Sequence, residues 1–184
     1  TATFVIKSYS LNMSAGTGGS VTSSGVHDHG TQAAITATPR TGYSFSGWSG
    51  EGIADLNAST TTVDMTRERN ATASFSINRQ VLGVYAGTGG SASGSGAYDW
   101  NSSAPIAATV NTGYEFTGWT GSGISNPSDA NATVLMTQDR NVTATFVIKS
   151  YSLNMSAGTG GSVTSSGVHD HGTQAAITAT PRTG

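Results

Sequence analysis

At 184 residues the chain has room for one ordinary domain or two small ones. Eight basic against ten acidic residues give a formal charge of −2 and leave no basic footprint for nucleic acid. The absence of cysteine excludes a disulfide framework or a thiolate site, and no apolar run approaches the ~20 residues that cross a bilayer.

Hydrophobic content of 35% is low, and Gly, Ser, Thr, Asn and Ala fill much of the remainder. Regular aromatic and β-branched positions, without charge blocks, argue against disorder and for many short strands between Gly-rich breaks. The opening TATFVIKSYS has neither the charged nor the apolar region of a secretory leader.

In chain order, SYSLNMS (8–14) alternates and places Tyr9, Leu11 and Met13 on one face. AGTGGS (15–20) predicts a turn whose glycines take positive φ. QAAITAT (32–38) sets Ala33, Ile35 and Ala37 on one side, and PRTG (39–42) predicts a type I turn closed by a left-handed Gly42. YSFSGW (43–48) supplies Tyr43, Phe45 and Trp48. TTVDM (61–65), a polar TRERN turn and ATASFSI (71–77) complete the unit. IADLNAS (53–59) has room for a helical turn at most, and its counterpart ISNPSDA disfavours a longer helix.

Everything then recurs. Residues 143–184 reproduce 1–42 without a change, at an offset of 142. Half that offset aligns TATF (1–4), TASF (72–75) and TATF (143–146), and it aligns TGYSFSGWSGEGI (41–53) with TGYEFTGWTGSGI (112–124). The 71-residue alignment needs no gap and is identical at 33 of 71 positions. The order is therefore a tail strand over 1–7, an A-type repeat over 8–77, a B-type repeat over 78–148 and a partial A-type repeat over 149–184. Such a unit is marginal alone, and no Gly/Ser- or Pro-rich tether separates one from the next, so a stiff, rod-like array of small β-sandwich or β-grasp-like units is expected. The partial repeat, lacking GYSFSGW, is expected to fray unless covered.

The assembled unit resembles a known family. Gly18 to Val21, then Gly30 to Gly50, then Val63 to Phe75 carry an order of motifs similar to the divergent internalin-type B-repeat of bacterial surface proteins. The B-type unit matches through Gly89, Gly90, Gly113, Tyr114, Phe116, Gly118, Trp119, Met136 and Phe146. It departs at Val110, where the family favours proline, and at Asn101, where the A-type unit has Gly30. The resemblance implies a small β-rich module, arrayed in large exported proteins as a spacer or adhesive stalk, with no catalytic residues and a β-grasp-like topology in related repeats.

Candidate sites are few. GVHDHG occurs at 25–30 and 167–172, so His27, His29, His169 and His171 are weak candidates for a metal site. On an extended segment the two imidazoles of each pair share a side, but zinc takes four ligands, or three plus water, and no clear third is near. The B-type slot reads Tyr98-Asp99-Trp100, which removes both histidines and favours a surface loop. The constant Asp28, Asp99 and Asp170 fit an Asx-type turn. Trp100 and Tyr98 are candidate glycan contacts, whereas Tyr43, Phe45, Trp48, Phe75, Tyr114, Phe116, Trp119 and Phe146 are expected in the core. The remaining carboxylates kept in type, Glu68 and Asp139, lie in a charged turn expected to be solvated, and no acid–base or nucleophile pair emerges. The Asn-x-Ser/Thr sites leave glycosylation open, whereas a Lys–Asn crosslink is not expected, since the B-type position that corresponds to Lys7 and Lys149 is Asn78.

The sequence therefore predicts a non-enzymatic structural repeat without cofactors, extracellular or at the cell surface. Its expected partners are neighbouring repeats, in the same chain or another, with glycans or surface ligands bound through other domains. Two alternatives stand beside it: a self-assembling filament or sheath subunit completed by neighbouring copies, and a glycan-binding module.

Overall fold

A computed structural model describes residues 1–164 and 167–183, and every element in it is a β-strand. The first compact unit spans Thr1–Arg79. It contains β1 (Ser8–Ala15), β2 (Gly19–Val21), β3 (Gly25–Asp28), β4 (Thr31–Pro39), β5 (Tyr43–Gly50), β6 (Thr60–Met65) and β7 (Arg69–Ile77). Four strands form one sheet in the order β3-β1-β7-β5, and three form another in the order β2-β4-β6. The first and last strands, β1 and β7, run parallel at the centre, from Leu11 opposite Arg69 to Ala15 opposite Ala73. IADLNAS forms no helix: Ile53 bridges to Val63, and the Asp55 carboxylate accepts the Asn57 N–H at 2.8 Å.

The core lies between the two sheets, drawing Leu11, Trp48, Ala71 and Ala73 from one and Ala33, Ile35, Ala37, Val63 and Met65 from the other. The unit is thus a two-sheet sandwich. Alternation of side chains predicts the inward set on β4, where Ala33, Ile35 and Ala37 are buried between exposed or half-buried neighbours. On β5 strict alternation fails. Phe45 opposes Phe75, but Gly47 opposes Ser74, so Ser46 is the extra residue of a β-bulge. The bulge, with Gly47 at φ 147°, turns Trp48 back to the side occupied by Phe45, and their ring centroids are 5.7 Å apart.

The second compact unit, Gln80–Gly184, begins within β8 (Arg79–Ala86). It continues through β9 (Gly90–Ser93), β10 (Gly96–Asp99), β11 (Ser103–Val110), β12 (Tyr114–Gly121), β13 (Asn131–Leu135) and β14 (Arg140–Ile148). The sheets are again β10-β8-β14-β12 and β13-β11-β9, with the same bulge between Phe116 and Gly118. Its core repeats the first at the 71-residue offset: Leu82 for Leu11, Ile106 for Ile35, Trp119 for Trp48, Val134 for Val63 and Met136 for Met65. Beyond it, β15 (Ser150–Leu153), β16 (Gly161–Thr164), β17 (Gly167–Asp170) and β18 (Thr178–Pro181) form two interleaved antiparallel pairs, β15 with β17 and β16 with β18. Among the described residues no helix is long and apolar enough to cross a membrane.

Turn chemistry follows the glycines. In AGTGGS, Gly18 and Gly89 have φ of 101° and 105°, and the ring of Tyr43 or Tyr114 occupies the space that a Cβ there would need. The next glycines, Gly19 and Gly90, seat Phe75 and Phe146 in the same way. The turn expected at PRTG sits one residue later. Tyr43 N–H donates to the Arg40 carbonyl at 3.0 Å, and Gly42 at φ 82° occupies the third position, which makes it type II.

Candidate functional site

Strand ends and turns converge where one repeat runs into the next. A single residue, Lys149, separates β14 from β15. Its N–H donates to the Gly113 carbonyl in the β11–β12 turn at 2.8 Å, and its own carbonyl accepts the His171 N–H at 2.7 Å. The joint residue is therefore held on both sides by backbone hydrogen bonds, from the B-type repeat before it and from the partial A-type repeat after it. His171 completes the contact: its ring lies against Gly113, so a methyl group there would overlap the imidazole. Gly113 is buried and has φ 84°. Tyr151 flanks His171 with ring centroids 6.0 Å apart.

The same residues stand at the front of the first repeat. His29 N–H donates to the Lys7 carbonyl at 2.7 Å, and the Tyr9 and His29 rings meet edge-on at 5.8 Å. Ile6, Lys7, Tyr9 and His29 line an open cleft of ≈ 520 Å³. At the end of this repeat Asn78, the one residue between β7 and β8, repeats half of the arrangement. Its N–H donates to the Gly42 carbonyl at 2.8 Å, and its side-chain carbonyl accepts the Ser44 hydroxyl at 2.7 Å.

The two histidines of each motif have separate roles in the fold. His27 and His169 lie within β3 and β17, opposite Tyr9 and Tyr151, and are half-buried. The Nε2 of His169 is shielded from solvent with no hydrogen-bond partner among the described residues. His29 and His171 follow the strand ends and belong to the turn, whose backbone bends them toward the joint. Among the described residues no group of three His, Cys, Asp or Glu side chains is placed to hold a metal ion. Asp28 and Asp170 do not form the expected Asx turn through their carboxylates. Each accepts a hydroxyl from the facing strand, Ser8 at 2.9 Å and Ser150 at 2.8 Å, while the Asp28 and Asp170 carbonyls accept Thr31 and Thr173 hydroxyls.

Tyr98 takes the place of His27 in the B-type repeat. It packs against the second core, and its hydroxyl donates to the Gly94 carbonyl at 2.8 Å. Trp100, at the His29 position, is half-buried. Of the aromatic residues expected inside, Trp48 and Trp119 are buried, and each indole N–H donates at 3.0 Å to a loop carbonyl, Ala58 or Asp129. Phe45, Phe75, Phe116 and Phe146 pack at the edges of the two cores. Tyr43 and Tyr114 are half-buried over their glycines, outside the buried clusters.

One charged residue behaves differently from its sequence context. Arg69 is only 8% exposed and donates to the Asp64 carbonyl, the Thr66 hydroxyl and the Glu51 carboxylate at 3.1–3.2 Å. The TRERN turn is thus anchored from beneath, with Arg67 alone reaching Glu51 from the solvent side at 2.8 Å. Arg140 repeats this on Leu135, Ser122 and Thr137. Its invariance at 69 and 140, where the adjacent Arg67 becomes Gln138, was the available signal.

Seven strands in two facing sheets, recurring every 71 residues and separated by single residues, define a tandem all-β repeat module. The chain belongs to the divergent InlB B-repeat domain family, whose model matches residues 9–79, 81–150 and 151–184. That family is a surface repeat module of bacterial proteins. No curated protein and no solved structure matches the chain.

Proposed function

We propose that this chain is a stretch of an extracellular array whose product is length and spacing: a stiff spacer or stalk of a bacterial surface adhesin or fibre, with no catalytic role. The observation that supports the reading is the joint. A flexible tether several residues long leaves neighbouring modules free to reorient, whereas a one-residue joint with both its backbone groups bonded restricts that freedom. The test is small-angle scattering on the 184-residue chain across a concentration series. A concentration-independent, elongated monomer is expected; a compact or freely jointed distribution would remove the spacer reading.

A second reading has its own observation. Phe4 and Val5 are 96% and 91% exposed, whereas Phe146 in the identical segment TATFVIK packs against the second core. A filament in which another copy covers such segments would bury them. Growth in particle size with concentration in the same scattering series is the result that would put this reading first.

A further inference from the structure

GVHDHG recurs letter for letter in the A-type repeats and loses both histidines in the B-type repeat. We propose that its second histidine, His29 or His171, is an inter-repeat docking residue: the imidazole seats on the glycine of the Asn111–Tyr114 turn of a B-type repeat running into it. The cleft at Ile6, Lys7, Tyr9 and His29 is the receiving half of that joint. The inference deepens the spacer reading by naming which surface of one repeat recognises which turn of the other, and it rests on that reading for the identity of the partner.

The structure shows the receiving side chains at two places. Behind residue 149 they are engaged: His171 lies on Gly113, Lys149 is bonded on both sides, and Tyr151 flanks the imidazole. In front of residue 8 the same side chains surround an open cleft, and Lys7 N–H has no acceptor among the described residues. The inner half of the joint is already formed there, since His29 N–H is bonded to Lys7 and the Tyr9 ring is in place.

Register identifies the occupant. In the filled joint Tyr114 pairs with Ile148, so the glycine turn and the joint residue are brought together by antiparallel pairing of β12 with β14. Residues 1–7 are identical to 143–149, and the corresponding end of the A-type repeat reads Ser76-Ile77-Asn78 instead of Val147-Ile148-Lys149. The strand entering the cleft is therefore the last strand of a B-type repeat, and the turn it positions is the B-type turn of that same repeat. The glycine is required twice over: a side chain at Gly113 would meet the imidazole, and φ 84° is in the left-handed region that disfavours other residues. In the B-type repeat the slot of that histidine holds Trp100 and follows the joint residue Asn78 in place of Lys149.

Hydrogen exchange of the Lys149 and His171 amides in the 184-residue chain provides the first test. His171→Ala is expected to speed Lys149 exchange about two- to tenfold, the range that one backbone hydrogen bond is worth, with β11–β13 amides unchanged. Unchanged Lys149 exchange would make the imidazole a bystander and overturn the assignment. A second chain, with residues 78–142 fused ahead of Thr1, rebuilds the joint at the front. Lys7 is then expected to reach the protection of Lys149, and the His29 ring resonances to move to those of His171. A Lys7 amide that exchanges equally fast in both chains would overturn the docking role of the cleft. Scattering on the fused chain separates this from the spacer reading: a stiff chain with Lys7 unprotected would sink the joint alone, and a flexible chain with Lys7 protected would sink the spacer alone.

Discussion

Residues 8–39 and 150–181 have the same sequence and different structures. In the first copy β1 runs for eight residues; in the second, β15 keeps only Ser150–Leu153. The part that survives is the counterpart of Ser8–Leu11, which pairs with β3, and the part that is lost is the counterpart of Asn12–Ala15, which pairs with β7. The same division applies to β4. Thr31–Thr36 pairs with β6 and Ala37–Pro39 with β2; in the later copy, residues 173–177 are outside any strand while Thr178–Pro181 remains paired with β16. Burial follows pairing: Ile35 is 0% exposed and its counterpart Ile177 is 62% exposed. The identical sequence thus specifies two antiparallel strand pairs, and the length and burial of their strands depend on the counterparts of β5–β7. A strand whose backbone groups have no partner gains nothing from being extended, because those groups bond water equally well in other conformations.

The largest effect expected from this comparison is at the buried isoleucine. Ile35→Ala should cost the first repeat about 2–5 kcal/mol, whereas Ile177→Ala should stay within about 0.5 kcal/mol. Denaturant unfolding of both variants checks it, and equal losses would break the comparison. Next is the turn glycine. Gly18 has φ 101° and carries the Tyr43 ring, while Gly160, its copy, has open space around its Cα. Gly18→Ala should cost about 2 kcal/mol or more, and Gly160→Ala should be neutral or stabilise by up to about 1 kcal/mol. Thermal melts of the two variants would show a fall for the first only.

Strands β6 and β7 of the first repeat have their own anchor. Arg69→Ala should lose about 1.5–3 kcal/mol, since it removes three hydrogen bonds from a buried guanidinium, whereas Arg67→Ala should lose less than about 1 kcal/mol. Chemical denaturation resolves the two, and similar values would mean that burial of Arg69 contributes little. The smallest expected effect sharpens the relation between A-type and B-type repeats. Asn101, at φ 62°, stands where the A-type copies have Gly30 and Gly172 at φ 82° and 77°. Asn101→Gly should be near neutral and Asn101→Ala should cost about 1–2 kcal/mol, read from the shift in the B-type repeat's unfolding midpoint.

Much of this protein is set by its sequence alone. The repeat period, the order of A-type and B-type units, the short strands, the glycine turns and the family all follow from local patterns, because alternation, turn residues and exact duplication are properties of neighbouring letters. The inward faces of β1 and β4 were legible for the same reason. Other features were decided only by the tertiary structure. The bulge that puts Phe45 and Trp48 on one side breaks the alternation on which sequence reading depends. Arg69 has the composition of a solvated turn, and its burial depends on carbonyls and hydroxyls brought to it by β6 and the loop before it. His171 meets Gly113 across 58 residues because strand pairing carries the turn to the joint, and nothing in the local sequence GVHDHG encodes that distance. Each of these rests on non-local pairing, in which a residue's surroundings are chosen by a strand far away in the chain.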